Sequence, residues 1–388
     1  MAKKADAPPY YTVQEFCDNA NWSEATKKNY KYALLHYSRF LFPAKDTDKK
    51  HPDAAIAALN DHVRKKSDPV KDIGAYANFM KGRPPKTVSL YLTAVRSFYG
   101  LNGHVFNKQE MKRVIPKTGD AETKQGEMTT ELLKKMVDAS DIRARVLIML
   151  LASTACRIGE LCSVTIEDLD MKADPARICL RKEYTKNGRA RYVFITDECK
   201  DILKIWLGSE RLKFMQASFQ RNKGLNDQFR DKNRLPPEED HRLLGLSTGG
   251  ARQIWYHVLE RVMDKDKIRP DAKTHIHPLP PHIIRKWWRI AANQGMKNED
   301  VCHLIMGHWS NSLDYVYAKM GPEGIGKEFK KGQYALSILS GESVKGIHET
   351  VEKQTDRIAA QDRIIEKMQR EIAILTRASE IAEKSKDL

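Results

Sequence analysis

The sequence has few cysteines, and they are dispersed. The six cysteines in 388 residues lie at positions 17, 156, 162, 179, 199 and 302 and form no C-x-x-C pair. A zinc ribbon requires such pairs, and a disulfide-stabilised domain requires a denser set. We therefore expect neither a metal site nor a disulfide framework, and we predict a reducing, cytoplasmic location.

Long apolar runs and cofactor-binding loops are also missing. No stretch approaches the roughly 20 apolar residues of a membrane-spanning helix, and the start "MAKKADAPPYY" has no hydrophobic segment typical of a signal peptide. The sequence contains no glycine-rich phosphate loop and no cluster of carboxylates. We expect no membrane partner and no nucleotide, metal or other cofactor.

Positive charge is abundant, with 67 Lys and Arg against 51 Asp and Glu. The excess is concentrated early, because residues 1–120 contain 21 Lys and Arg against 12 Asp and Glu. A basic domain of this kind is suited to a polyanionic partner. Nucleic acid is the first candidate, and a merely soluble basic surface is the alternative.

Hydrophobic periodicity divides the chain. Residues 1–9 are predicted as a tail, 10–116 as a basic helical domain, 117–127 as a polar linker, and 128–340 as a second domain. In the stretch "TVSLYLTAVRSFYG", apolar residues recur at helical spacing, and Thr87 is the predicted N-cap. Lys86 and Arg96 remain available to bind phosphate.

The second domain is predicted to be helical with one β-hairpin, which gives a mainly α fold with a small sheet (α+β). The segments "RICLRKEY" and "RYVFI" flank "TKNGRA", where Asn187-Gly188 is typical of a tight two-residue turn. Lys186, Arg189 and Arg191 lie at or beside this turn. The charged stretch 209–242 has little periodicity and is predicted as a surface excursion.

Residues 345–388 have a different pattern. Apolar residues recur there with 3,4 spacing over about five heptads, interrupted by Gln354 and Gln361 at core positions. This pattern predicts a helical, coiled-coil-like tail that self-associates. A single helix packed on its own domain is the alternative.

A helix is predicted in "PLPPHIIRKWWRIAANQG", beginning after Pro280-Pro281 and stopping at Gly295. Its apolar stripe should face the core. His282, Arg285 and Arg289 form the opposite stripe, where a His and an Arg one turn apart can bind the same phosphate.

Arg157 follows a strongly apolar helix, "LIMLLASTAC". An unpaired buried guanidinium would be costly. Either the helix breaks near "STAC", or Arg157 projects into a protected anion site, or it pairs with a structural carboxylate.

The stretch "MGHWSNSLDYVYAKM" contains a Gly-His pair and two tyrosines. Asn298 can cap a short helix that Gly307 ends, with His308 at its exit. In the helix that follows, Tyr317 shares a face with Leu313 and would by itself be interpreted as a packed aromatic.

In order along the chain these residues resemble the motif set of the tyrosine recombinase (phage integrase) family: Arg157 within "TACRIGEL", Lys186, His282-x-x-Arg285, Gly307-His308 and Tyr317. The resemblance covers residues 128–320 as a catalytic domain, and the basic domain before it is similar to the family's core-binding domain. Archaeal virus and plasmid integrases are expected kin. Many members have a histidine where this chain has Lys286, to which no role is assigned.

The resemblance implies a role for each matched residue. Tyr317, nine residues after His308, would be the nucleophile, and Tyr315 would not. Arg157 and Arg285 would bind the phosphate with His308, Lys186 would be the general acid, and His282 a general base or hydrogen-bond partner. The DNA-contact candidates are Lys86, Arg96, Arg189, Arg191 and Arg289.

The implied partner is double-stranded DNA, bound by a homo-tetramer on paired sites, in the nucleoid. The implied activity is metal- and ATP-independent strand exchange that integrates a mobile or viral genome. The alternatives are a type IB topoisomerase, a telomere resolvase, or a non-catalytic DNA-binding regulator.

Overall fold

The computed structural model describes residues 10–19, 21–43, 53–65, 68–115, 126–228, 230–232, 234–272, 276–308 and 311–339, together with Met368. The chain divides into two compact units between residues 124 and 125. The predicted tail 1–9, residues 117–125 of the predicted linker, and the predicted coiled coil 345–388 except Met368 lie outside the described residues. Within the described residues, no helix combines the length and apolar character needed to cross a membrane.

The first unit is helical. Its helices are α1 (Val13–Asn19), α2 (Glu24–Leu41), α3 (Asp53–Arg64), α4 (Pro69–Phe79), α5 (Pro85–Leu101) and α6 (Lys108–Val114). The core is rich in tyrosine: Tyr37, Tyr76 and Tyr99 are fully buried, and the hydroxyls of Tyr37 and Tyr99 lie 3.3 Å apart. Burying these rings on short helices gives a small domain a large apolar contact area.

Helix α5 has the core face that its sequence predicts. Val88, Tyr91, Leu92, Val95, Phe98 and Tyr99 are all buried. The predicted cap at Thr87 is wrong, because the helix begins at Pro85, a residue whose fixed φ suits a first helical position. Lys86 and Arg96 are exposed, as the periodicity requires.

The second unit is also mostly helical and contains one small sheet. Its helices are α7 (Thr130–Asp138), α8 (Ile142–Thr154), α9 (Ile158–Ser163), α10 (Asp197–Ile205), α11 (Arg211–Lys223), α12 (Thr248–Val262), α13 (Lys265–Ile268), α14 (Ile283–Gly295), α15 (Glu299–Met306) and α16 (Asn311–Gly332). The antiparallel sheet has the order β1 (Leu169–Asp170), β2 (Arg177–Leu180), β3 (Arg191–Phe194). The prediction of a mainly α fold with a small sheet is confirmed.

Helix α8 is the centre of this unit. Every residue from Ala144 to Thr154 is buried, so this part of the helix is surrounded by protein on all sides. Around it, three buried indoles each donate a hydrogen bond of 2.9 Å to a backbone carbonyl: Trp206 to Leu243, Trp255 to Leu279, and Trp288 to Ser153. A buried indole N–H is stabilised only when it has such a partner.

The hairpin is present, but its turn differs from the predicted one. Strand β2 ends at Leu180, which pairs with Arg191 at the start of β3, so residues 181–190 connect the strands. Gly188 has φ of 66°, and Asn187 does not share this left-handed conformation. A 3₁₀ turn at Lys182–Tyr184 ends the strand early, so the two-residue turn is wrong.

The charged stretch 209–242 contains more structure than its sequence indicates. A π-helical segment, Trp206–Glu210, leads into α11. Arg211 is buried and donates hydrogen bonds to the carbonyls of Asp240 (2.5 Å) and Arg242 (2.8 Å). This internal pairing of a buried charge holds the end of the stretch against α11.

The last described segment packs against α14. Gly295 does not act as a left-handed helix stop; it lies inside the last turn of α14, where a Cβ would overlap the carbonyl oxygen of Gly332. Beyond Gly332, the carboxylate of Glu198 accepts hydrogen bonds of 2.9 Å from the amides of Ile338 and Leu339. The segment therefore completes the core of its own unit.

Candidate active site

Arg157 lies at a sharp break between two helices. Helix α8 ends at Thr154, and Ala155 follows with φ of 51°, a left-handed conformation that is rare for a residue other than glycine. Arg157 is then the N-cap of α9. Of the alternatives left open for Arg157, the structure shows both the helix break near "STAC" and a carboxylate partner, Glu160.

Glu160 is the carboxylate that pairs with Arg157. Its Oε1 lies 2.6 Å from an Arg157 guanidinium nitrogen, and its Oε2 accepts a hydrogen bond of 3.0 Å from the Arg157 backbone amide. Burial opposes ionisation of Glu160, but the charge of Arg191 and its hydrogen bond outweigh burial, and the pKa of Glu160 is lowered. The carboxylate is therefore ionised at neutral pH.

Arg285 is buried beneath Arg157 rather than presented on the polar face of α14. Only 2% of Arg285 is exposed, which corrects the predicted solvent-facing stripe. Its guanidinium donates to the carbonyl of Ala155 at the break after α8 and, at 2.7 Å, to the carbonyl of Met306 at the end of α15. Burial, and then the charge of Arg157, lower the pKa of Arg285 to about 10, so it stays protonated at neutral pH.

His282 and His308 lie beside the two arginines. Both are exposed by surface area, yet the surrounding protein desolvates them. Desolvation, then the charges of Arg285 and Arg157, lower the pKa of His282. Desolvation, then Arg285 and His303, lower the pKa of His308 to about 4. Both imidazoles are therefore neutral at pH 7, and each can accept a proton or donate one hydrogen bond.

His303 contacts His308 directly. Their Nδ1 atoms lie 3.1 Å apart, so in the neutral pair one nitrogen must donate and the other accept. His308 follows Gly307, which has φ of 72° and ends α15 after the Asn298 cap, as the sequence predicts. This turn places His308 within the electrostatic environment of Arg285 and Arg157.

Tyr317 lies on the first part of α16. It is half-buried and packs against the core of the unit. Desolvation, then Tyr192 and Cys179, raise its pKa. Tyr315 is 69% exposed. The structure therefore gathers Arg157, Arg285 and the two histidines into one electrostatic environment.

Lys186 is exposed on the connection between β2 and β3. In the part of the chain that the structure describes, its ammonium makes no hydrogen bond or ion pair. Three residues later, Arg189 forms an ion pair of 2.5 Å with Asp314 of α16. This pair ties the lysine-bearing connection to the helix that carries Tyr317.

The predicted DNA-contact residues fall into two groups. Lys86, Arg96, Arg189 and Arg289 are exposed, and Arg289 pairs with Glu299 at 3.0 Å. Arg191 is only 2% exposed and pairs with Glu160 at 2.7 Å. As a surface DNA contact Arg191 is a wrong prediction, because the strand face that carries it is turned into the core.

Two members of this cluster, Glu160 and His303, were not predicted. Glu160 follows Arg157 by three residues in "CRIGEL", and i,i+3 spacing with opposite charge indicates a pair across one helical turn. His303 carries no such signal, because its place beside His308 depends on the left-handed turn at Gly307. Arg157, Arg285, His282 and His308 present two cations and two neutral imidazoles, which suits an oxyanion such as a phosphodiester, while Glu160 and His303 hold Arg157 and His308.

A family model matches the part of the chain that carries these residues. The model described as "Phage integrase family" matches residues 125–322, just over half of the chain. The chain belongs to the phage integrase family, the tyrosine recombinase family.

Individual relatives are more distant. The chain is 25% identical to tyrosine recombinase XerC of Bacillus subtilis (strain 168) over 259 residues, which cover 63% of this chain and 74% of the relative. It is 29% identical to tyrosine recombinase XerA of Saccharolobus solfataricus over 126 residues, 32% of this chain and 40% of the relative.

Among solved structures, a lambda integrase tetramer bound to a Holliday junction is similar with a TM-score of 0.42 and 14% identity, covering 72% of this chain and 77% of that chain. XerA recombinase is similar with a TM-score of 0.32 and 16% identity, covering 80% and 96%.

Proposed function

We propose that this chain is a site-specific DNA recombinase of the integrase type, which cuts and rejoins duplex DNA through a 3′-phosphotyrosyl intermediate. Membership of the phage integrase family supports this reaction class. The observation that carries the proposal is the convergence of Arg157, Arg285, His282 and His308, which come from three separate parts of the chain and share one electrostatic environment.

The phosphate is held by the two arginines and His308. Arg285 is fixed by two backbone carbonyls and stays charged at neutral pH. Arg157 is 32% exposed at its side chain, so its guanidinium reaches the substrate while Glu160 holds its other edge. Removal of one such preorganised donor costs about 100-fold to 1000-fold in rate.

Tyr317 is the nucleophile. Its oxygen attacks the phosphorus, and the phenolic proton passes to neutral His282. A base is needed because the raised pKa of Tyr317 leaves almost no phenolate at neutral pH. The new P–O bond joins Tyr317 to the 3′ side of the break.

Lys186 donates a proton to the departing 5′ oxygen as the P–O5′ bond breaks. The phosphotyrosyl ester retains the energy of the broken bond, so a 5′ hydroxyl from a partner duplex can attack it and release Tyr317. The exchange is therefore balanced without ATP, and the proposed mechanism needs no metal ion.

The helix that carries Tyr317 contains a break at which its first part can reorient when DNA binds. Helix α16 is interrupted at Gly321, which has φ of 60° and ψ of 178° and is followed by Pro322. A change at this break would reorient residues 311–320, and with them Tyr317, relative to the arginines. The Arg189–Asp314 pair must also open, at a small cost because both side chains are partly exposed.

The proposed substrate is a pair of attachment sites in double-stranded DNA. Lys86, Arg96, Arg189 and Arg289 contact the backbone, and four copies of the chain assemble on two sites. We expect integration of a mobile or viral genome, in the cytoplasm at the nucleoid.

Residues 345–388 are proposed to assist assembly of the multimer. Sedimentation of a chain truncated before residue 345 tests this role, and an unchanged multimer would reject it.

A nicked suicide duplex tests the chemistry. Loss of the short strand below the nick traps the covalent complex, which denaturing electrophoresis detects. Wild type should form the adduct, Tyr317→Phe should not, and Tyr315→Phe is the matched control that should retain it. Loss of the adduct in Tyr315→Phe with retention in Tyr317→Phe would reassign the nucleophile.

The same assay separates the roles around the nucleophile. A Lys186→Ala variant should cleave slowly, and a bridging 5′-sulfur at the scissile phosphate should restore its rate because a thiolate leaves without protonation.

The reaction products separate the alternative functions: joined heterologous sites indicate a recombinase, relaxed circles a topoisomerase, and hairpin ends a telomere resolvase. Binding with no adduct indicates a non-catalytic regulator.

A further inference from the structure

We propose that Arg191 is a positioning residue for the proposed cleavage reaction. Its guanidinium fixes Arg157, through Glu160, and at the same time fixes the turn that presents His308. This inference rests on the proposed function, since it concerns the orientation of two groups of that site. No position of the family motif stated above corresponds to Arg191.

The first contact of Arg191 leads to Arg157. One terminal nitrogen of Arg191 lies 2.7 Å from Oε2 of Glu160, and Oε1 of the same carboxylate lies 2.6 Å from Arg157. The side chains of Arg191 and Glu160 are 1% and 3% exposed, whereas that of Arg157 is 32% exposed. The buried pair therefore anchors the member that reaches solvent.

The second contact leads to His308. Nε of Arg191 donates a hydrogen bond of 3.0 Å to the carbonyl of Ile305, in the last turn of α15. A Cβ at Gly307 would lie 2.8 Å from Cζ of Arg191. The guanidinium therefore packs directly against the left-handed residue that precedes His308.

These contacts span distant parts of the chain. Arg191 is 31 residues from Glu160 and 114 residues from Ile305. One buried side chain on β3 thus connects the start of α9 with the end of α15. A displaced guanidinium would release Arg157 and the His308 turn together, and a misplacement of about 1 Å in an active site can cost about 100-fold in rate.

Stability alone gives a weaker reason for this buried pair. Replacement of a buried ion pair by apolar residues of similar size is often neutral or stabilising, whereas removal of one partner leaves a costly unpaired charge. A double substitution therefore separates the two roles. It should restore folding stability but leave Arg157 without its carboxylate.

The experiment compares wild type with Arg191→Met, Arg191→Lys and the double variant Arg191→Met/Glu160→Leu. Urea unfolding gives stability, anisotropy of a labelled duplex gives Kd, and the suicide duplex gives the adduct rate at saturating protein. Arg145→Met is the matched control, because Arg145 is also buried but donates to the carbonyl of Val137, outside the site.

We expect Arg191→Met to lower the adduct rate by about 100-fold, with Kd within about twofold of wild type because a buried side chain does not contact DNA. Arg191→Lys should recover part of the rate. The double variant should regain stability without regaining the rate, and Arg145→Met should lose stability with little change in rate. A rate that returns together with stability in the double variant would assign Arg191 a purely structural role.

A readout that needs no chemistry keeps this inference separate from the proposed function. The side-chain N–H resonances of Arg157 are assigned by their loss in Arg157→Lys, and their exchange with water should accelerate in Arg191→Met. Unchanged Arg157 resonances would overturn the inference even if wild type formed no adduct. Absence of the wild-type adduct alone would instead reject the proposed function.

Discussion

Replacement of Gly307 by alanine tests whether the turn before His308 needs glycine for its backbone or for the space beside it. Gly307 has φ of 72°, and an added Cβ would lie 2.8 Å from Cζ and 2.9 Å from a terminal nitrogen of Arg191. Gly188 has a similar φ of 66°, but no atom lies within 4 Å of its added Cβ. The two substitutions therefore share the backbone cost, and only Gly307→Ala adds a steric overlap.

The magnitudes follow from these two contributions. A left-handed alanine costs about 1 to 2 kcal/mol, and this applies at both positions. At Gly307 the guanidinium must also move, and it is held by Glu160 and the carbonyl of Ile305. Each hydrogen bond to a charged group contributes about 1.5 to 3 kcal/mol, so loss of one brings the cost of Gly307→Ala to about 2.5 to 5 kcal/mol.

Urea unfolding monitored by tryptophan fluorescence provides the assay. Five of the six tryptophans follow residue 200, so the signal reports mainly on the second unit. We expect a clearly larger loss of unfolding free energy for Gly307→Ala than for Gly188→Ala. The adduct rate should also fall in Gly307→Ala, since both Arg157 and His308 are displaced.

Equal destabilisation by the two substitutions would refute this reasoning. It would mean that the Arg191 guanidinium moves aside freely, and that backbone conformation alone explains Gly307. A full adduct rate in Gly307→Ala, measured without urea at a temperature where the variant is folded, would also contradict a link between the turn and catalysis.

Three further outcomes are expected. Gly295→Ala should lower the urea midpoint because its Cβ would overlap the Gly332 carbonyl oxygen. Gly159→Ala in the same unit meets only an ordinary contact at 3.8 Å, so its unfolding free energy should be unchanged or rise by up to about 1 kcal/mol. Equal midpoints for the two variants would contradict the close packing at Gly295. Because the pKa of His308 is lowered to about 4, its protonated form accumulates only as pH falls toward 4, and single-turnover adduct rates should show no His308-dependent fall near pH 6.5. Lys86→Ala should reduce the slope of log affinity against log salt by about 1, and an unchanged slope would remove Lys86 from the DNA contacts.

Local patterns in the sequence predicted much of the fold. The buried face of α5 and the Asn298 cap with the Gly307 stop follow from spacing and residue type alone. These features depend on neighbours within one or two helical turns, so they are encoded over short stretches. The break before Arg157 was only one of three alternatives, because the sequence shows that an unpaired buried arginine is costly but not which arrangement avoids it.

Pairings between distant residues could not be predicted in this way. Arg191 lies in a strand, where successive side chains point to opposite faces, and the sequence does not show which of the two faces packs on α15. Arg285 was placed on a polar stripe, but two carbonyl groups at the ends of α8 and α15 compensate its burial. A buried cation is tolerated only where such partners converge, and tertiary packing alone brings them together.

The order and spacing of Arg157, Lys186, His282, Arg285, His308 and Tyr317 were fixed by the sequence, and with them the family. The tertiary structure decided which of these groups meet. It gathers the arginines and histidines into one electrostatic environment and half-buries Tyr317 against the core of the unit. The physical reason is that the identity of each motif residue follows from the chemistry proposed for it, whereas the distances between these residues depend on how α8, α14, α15 and α16 pack.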